Sequence, residues 1–234
     1  MVQKKATNKV FASLHKTLFQ ARYKPELEFY ELLYSVAKKF DNFPDWKTDR
    51  LSVVLRNFSK RCSLGIQHTN FSYDQDTNSI TDEEFNLNKA IEIIPQYLKI
   101  SSFVRLGYRR IYLISTDMQF QELVDILNIK FFSHETELIK IMPSKVYDLQ
   151  YVIDSTDDPF RFHIRIGPVR KEEIPSRIPF NKENHLAPKT TQKDYEQITS
   201  SYPKVAVFID LDCTSSNNSD TRPDFVSDSF ALSL

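Results

Sequence analysis

Apolar residues recur at two different periods along this chain, and the switching between them outlines the fold. Phe29, Leu33, Val36 and Phe40 fall three or four apart, which places them on one side of a helix. Pro25 suits the first turn of that helix, and Asp41-Asn42-Phe43-Pro44-Asp45 supplies the turn chemistry that ends it. Leu87, Ala90, Ile91, Ile94 and Leu98 repeat the spacing behind a capping box of Thr81 and Glu84, and Pro95 is expected to kink or end the helix they form. A third helix, capped by Thr116 or Asp117, turns Phe120, Leu123, Val124 and Leu127 inward.

Elsewhere the period is two. Cys62, Leu64 and Ile66 alternate with Arg61, Ser63, Gly65 and Gln67, and a strand over 51–56 precedes them across Asn57-Phe58-Ser59-Lys60, which predicts a hairpin. Residues 103–115 form the longest strand candidate. Tyr147, Leu149, Tyr151 and Ile153 alternate in another, and Phe160, Phe162, Ile164 and Ile166 in the next, with 154–159 as the loop between them. Residues 205–211 are the last strand. Residues 9–20 fit either period. Phe71 and Tyr73 extend the hairpin or open a loop, and 74–79 read as a polar turn.

Strands grouped together, with helices interposed irregularly, predict an α+β fold: a mostly antiparallel sheet with helices packed on one face and the other face accessible. One domain is expected over 1–212, with a point of subdivision near 140. An irregular excursion containing Pro175, Pro179, Pro188 and Pro203 spans 171–203, and 213–234 read as a polar, disordered tail.

Composition narrows the chemistry. The 234 residues carry zero net charge, so no overall field draws the protein to nucleic acid or to an acidic membrane. The N-terminal 25 residues are basic and the last 25 acidic, which solvated termini explain. Cys62 and Cys213 are too few and too far apart for a disulfide scaffold or a zinc site. No apolar run approaches the length of a membrane span or a signal peptide, which leaves the cytoplasm as the expected compartment. There are three glycines, where ordinary usage would give about 16. Gly65, Gly107 and Gly167 are far apart, which excludes a Walker-type loop and a dinucleotide fingerprint.

The run Val205-Ala206-Val207-Phe208-Ile209-Asp210-Leu211-Asp212-Cys213-Thr214 resembles the first motif of the haloacid-dehalogenase phosphatases, where two aspartates and magnesium do the chemistry. That site needs a lysine and a further acidic pair downstream, and 20 residues without a lysine follow Thr214. A buried strand with acidic solvent-side residues is the better account. His15, His68, His134, His163 and His185 are dispersed and lack the paired spacing of a metal site. No catalytic residue, metal ligand or cofactor is assigned.

One pattern remains. Arg105-Leu106-Gly107-Tyr108-Arg109-Arg110 and Arg165-Ile166-Gly167-Pro168-Val169-Arg170 share the form Arg-aliphatic-Gly-x-x-Arg. Because strand side chains alternate, Arg105, Gly107 and Arg109 share a face, as do Arg161, His163, Arg165 and Gly167, and likewise Arg61, Ser63, Gly65 and Gln67. A glycine inside a strand loses stability unless it makes a bulge or admits something close to the backbone. If these strands adjoin, they form a basic surface suited to phosphate or carboxylate. The competing expectation is an ordinary solvated sheet, in which Asp148 or loop acids pair with the arginines.

The segment over 51–114 resembles a sporadically distributed family of bacterial conserved hypothetical proteins. Gly65-Ile66-Gln67-His68-Thr69-Asn70-Phe71 carries part of the likeness. Arg105-Leu106-Gly107-Tyr108-Arg109-Arg110-Ile111-Tyr112, similar to that family's Arg-x-Gly-x-Arg-Tyr-Ile-Asn strand, carries the rest, although Arg110-Ile111-Tyr112 departs from its end. The strand ending Ile209-Asp210-Leu211-Asp212 is also similar, but a polar run follows where that family has a helix. The resemblance covers about half the chain and implies no activity. The sequence therefore favours a non-enzymatic binding or assembly protein using an exposed sheet face, with a protein partner or self-association. The alternatives are a receptor or enzyme for a small anionic ligand whose site forms only in three dimensions, and a nucleic-acid-associated protein, which the zero net charge disfavours.

Overall fold

The computed structural model describes residues 12–25, 27–77, 86–132, 146–178, 196 and 199–215. They form one nine-stranded sheet, antiparallel at every pairing, with four helices. The strands are β1 (Ala12–Tyr23), β2 (Asp45–Thr48), β3 (Ser52–Asn57), β4 (Cys62–Gln67), β5 (Asn70–Asp76), β6 (Phe103–Ser115), β7 (Tyr151–Asp157), β8 (Phe160–Arg170) and β9 (Val205–Ser215). The helices are α1 (Phe29–Ala37), α2 (Leu87–Tyr97), α3 (Phe120–Phe132) and the single turn α4 (Ile174–Arg177). The spatial order is β2-β3-β4-β5-β1-β6-β9-β8-β7.

The segment that fitted either period is the central strand β1. It pairs with β5 on one side and β6 on the other, and its Thr17, Phe19, Ala21 and Tyr23 are buried in alternation. A helix would have left those two ladders without a partner, so tertiary pairing decides what local propensity could not. On the Phe19 face, Phe71, Tyr73, Leu64, Ile66, Leu106 and Tyr108 pack with Phe29, Leu33 and Val36 of α1 and with Ala90 and Ile94 of α2. Each of the larger side chains contributes about 1.5–3 kcal/mol by leaving water. Pro95 lies in the last turn of α2, where it has no N–H to give the carbonyl of Ile91, and the helix ends two residues later at Tyr97. Thr81 and Glu84 lie outside the described residues.

A second cluster sits on the opposite, Arg109 face. Ile111, Leu113, Val169, Ala206 and Phe208 pack there with Ile174 of α4, Ile178 and Tyr202. β6 therefore feeds both clusters, through Leu106 and Tyr108 on one face and through Ile111 and Leu113 on the other. Greasy and wet residues do not sort to the two faces uniformly along the sheet. The Arg109 face is apolar at one end and polar over the rest.

Several boundaries differ from expectation. Residues 74–76 continue β5 rather than turning, because Asp74 and Asp76 meet Lys16 across the ladder at 2.9 and 2.8 Å. β2 was not expected; it is short, polar and marginal. β7 begins at Tyr151 and runs through 157, so most of the expected 154–159 loop is strand. Arg61 is a turn residue with φ of 51° and does not share the face of Ser63. Cys213, Thr214 and Ser215 belong to β9, not to a tail. Residues 216–234 lie outside the described residues, as does most of 179–198. No described helix is long and apolar enough to cross a membrane.

Candidate functional site

The register of the sheet places the candidate residues on one surface. Across the Arg109 face, successive rungs can be read from strand to strand. One rung runs Asn70, Arg22, Arg105. The next runs Gly65, Ser72, Gln20, Gly107, Thr214, Arg161, Thr156. A third runs Ser63, Asp74, Leu18, Arg109, Asp212, His163, Asp154, and a fourth Asp76, Lys16, Ile111, Asp210, Arg165. Arg105, Gly107, Arg109, Arg161, His163, Arg165 and Gly167 thus share one face of three adjacent strands, with β9 between β6 and β8. Gly65 lies on that face too, four strands from β9. All three glycines of the chain point the same way.

The acid that meets the arginines was not foreseen. Among the described residues Asp148 accepts from the backbone N–H of Leu149, at 2.8 Å, and meets none of the arginines. Asp210, expected on the solvent side, is instead 1% exposed at the centre of the surface. Arg109 Nε donates to its Oδ1 at 2.8 Å and Nη2 to its Oδ2 at 2.9 Å. From the other side Arg165 Nε donates to Oδ2 at 3.0 Å, with a second contact from Nη2. The carboxylate holds Arg109's guanidinium above its ordinary pKa. Both oxygens are engaged and the carboxylate is closed off from solvent, and β9 has no parallel neighbour of the kind the phosphatase motif requires.

Asp212 is different. It stands between Arg109 and His163, half-buried, and burial pushes its carboxyl above the usual range against the pull of Arg109. His163 Nδ1 lies 2.7 Å from Asp154 Oδ1. Asp154, His163 and Asp212, with Ser155, Thr156, Arg161, Phe162 and Thr214, line a groove of about 450 Å³ at the β7–β9 end of the sheet. Arg161 and Arg105 have no carboxylate partner among the described residues, and neither does Arg22 of β1, whose Nε reaches only Gln20 Oε1 at 3.3 Å. Sequence reasoning missed Arg22 because β1 was not recognised as a strand. It set Asp212 aside with the phosphatase-like motif as an acidic solvent-side residue, and placed Thr214 in the tail. Their period-two spacing with Asp210 was the signal that could have found them.

The glycines divide by what faces them. A Cβ added at Gly167 would lie 2.8 Å from the Leu149 carbonyl oxygen and 3.5 Å from Gln150 Cα. The close approach expected at a strand glycine is made here by the protein's own chain, which takes Gly167 out of any ligand site. Gly107 faces open space, where a Cβ would meet only Thr214 Cγ2 at 3.9 Å. Gly167→Ala is therefore expected to destabilise the fold by about 1–3 kcal/mol through overpacking. Gly107→Ala should be neutral or stabilising by up to about 1 kcal/mol. Urea denaturation of the two variants side by side checks both.

Neither cysteine is poised to react. Burial pushes the Cys62 thiol up to about 12 and Cys213 up to about 11, so both are protonated at neutral pH. Among the described residues no group of three or more His, Cys, Asp or Glu side chains is placed to hold a metal ion. Fold and surface together define an α+β protein built on a broad antiparallel sheet, with a charged ladder across three of its strands. No protein-family model matches the chain, and no curated protein matches it.

Proposed function

We propose that this is a non-enzymatic binding or assembly protein whose working surface is the polar part of the Arg109 face. One observation carries the reading. Arg109 and Arg165 are locked by the buried Asp210, while Arg105 and Arg161 on the same strands have no carboxylate partner among the described residues. A rigid ion-paired centre flanked by uncommitted guanidiniums is a preorganised surface for an anionic contact, and guanidinium forks suit carboxylate and phosphate alike. In this reading the Phe19 face, with α1 and α2 packed on it, is the structural side of the sheet. The partner is another protein or a second copy of this chain. We carry forward as part of the same proposal a cytoplasmic setting and kinship with the bacterial conserved-hypothetical family that the Arg105-Leu106-Gly107-Tyr108-Arg109 strand resembles.

The groove at Arg161, His163 and Asp212 favours a second reading, a receptor for a small anionic ligand. Nucleic acid is the weakest alternative. The polar rungs carry no Phe, Tyr or Trp on which bases could stack, and the chain has no net positive charge.

The test of the main reading is the pair Arg105→Glu plus Arg161→Glu. Sedimentation of the intact protein, and capture from an extract of its own cells, should show self-association or a partner that the double variant loses. Its far-UV circular dichroism should stay unchanged, because neither arginine makes an ion pair among the described residues. A partner held equally well by the double variant removes this surface from consideration.

A further inference from the structure

Arg22 and Arg105 are directly opposite each other on neighbouring strands and on the same face. Like charges in that position repel, and the usual remedy is an acid close by. Lys16, three rungs along the same strand, has two, Asp74 and Asp76. Arg109 and Arg165 share Asp210. The Arg22–Arg105 pair makes no ion pair among the described residues, and the one acid whose charge Arg105 feels, Asp212, acts across the floor rather than in contact. In the adjoining rung Gln20, whose Oε1 accepts from Arg22 Nε at 3.3 Å, stands between the short Ser72 and the bare backbone of Gly107, with the short Thr214 beyond. This rung forms a low floor bounded by the two arginines on one side and by Arg109 and Asp212 on the other, and Arg161 closes its far end beside Thr214. Strands about 4.8 Å apart put Arg161's backbone about 10 Å across the sheet from Arg105's strand. Both side chains can lean over that gap.

We propose that Arg22 and Arg105 together grip one oxyanion group, and Arg161 a second, of a single small ligand laid across Gly107. The ligand class is a compact molecule with two phosphate or carboxylate groups. Gln20 and Thr214 supply neutral hydrogen bonds from the floor, and Asp212 accepts one from a ligand hydroxyl or amine. The contact ion pair that the two facing guanidiniums lack within the described protein is then supplied by the ligand. This deepens the binding reading above and rests on it.

Calorimetric titration of the intact chain at neutral pH and low salt, with tripolyphosphate and with citrate as separate probes, tests the idea. At least one probe should bind at one site per chain. Binding of only the first identifies a phosphate ligand, and binding of only the second a carboxylate. Arg22→Gln and Arg105→Gln should each weaken binding at least tenfold while leaving the melting temperature of the ligand-free protein unchanged or higher, since each removes a repulsion. Gly107→Val changes no charge and should weaken binding at least tenfold by filling the floor, with folding retained because its side chain enters open space. Affinity that survives Arg105→Gln or Gly107→Val overturns the proposal, and so does the absence of any heat with both probes. If both probes fail while Arg105→Glu plus Arg161→Glu still abolishes partner capture, the surface stands and the small dianion falls.

Discussion

Asp210→Ala is expected to lower stability by about 3 kcal/mol, the low end of what is lost when one partner of a buried ion pair is removed. The carboxylate is 1% exposed and holds guanidiniums from both neighbouring strands. Without it, two arginines of the same sign face each other across β9. The side chains of Arg109 and Arg165 are 26% and 33% exposed, so each can turn toward water, which is why the cost stays at the low end. Asp210→Asn keeps the shape and one acceptor oxygen and should cost less. Replacing all three residues together by Met and Leu should recover most of the loss, because an apolar trio has no charge left to strand. Urea or guanidinium unfolding of the three variants orders them. A loss below about 0.5 kcal/mol for Asp210→Ala would show that the ladder is not a structural element. Because Asp210 fixes β6 and β8 to β9, its removal should also loosen the spacing of Arg105 and Arg161, and so any ligand that needs both.

How far the architecture could be foreseen depends on where each element gets its information. α1, α3 and the β3–β4 hairpin are local: Phe29, Leu33 and Val36 pick out a helix face, and Cys62, Leu64 and Ile66 a strand face, without reference to any distant residue. β5 was not legible as a strand of its own: Phe71 and Tyr73 suited a hairpin extension or a loop equally, and Asp74 and Asp76 make sense in a strand only when Lys16 arrives from 58 and 60 residues away. β7 was misplaced for a related reason. It is an edge strand exposed on both faces, so burial imposes no period on Asp154, Ser155 and Thr156, and alternation upstream of Tyr151 was as good a guide as the strand itself.

The surface divides in the same way. That Arg105, Gly107 and Arg109 share a face follows from the backbone alone, and so does the grouping of Arg161, His163 and Arg165. That the two groups become neighbours through β9 does not, because the order of strands is set by packing over a hundred residues of separation. Asp210 is the consequence. A central strand between two arginine-bearing strands needs an acid on that face, whereas the same residue near the end of an isolated final strand looks like decoration. Two arginines opposite each other, Arg22 and Arg105, could not be seen until β1 had a register.

Stability should fall as the pH drops from about 6.5 toward 4, and His15 is the reason. It is the extra residue of a bulge in β1, between Leu14 and Lys16 where the register against β6 shifts. Its ring packs 5.7 Å from that of Tyr202, and its carbonyl accepts the backbone N–H of Thr77 at 3.0 Å. Desolvation lowers its pKa from 6.5 to about 4. Between those values the unfolded chain takes up a proton at this position that the folded chain refuses, so acid favours unfolding. The contribution is fully present above about pH 6.5 and is lost on the way down, by about 2–3 kcal/mol in total. Asp212 works in the opposite sense, since its raised folded pKa makes the folded state the better proton acceptor and offsets part of the slope. His15→Phe keeps a ring against Tyr202 and has nothing to titrate. Its unfolding free energy should be flatter than wild type's between pH 6.5 and 4, while the two proteins run parallel above pH 7. If the two curves are parallel across the acid range as well, the bulge histidine is already charged in the folded protein, and the apolar end of the Arg109 face is wetter than the packing of Ile111, Phe208 and Tyr202 implies.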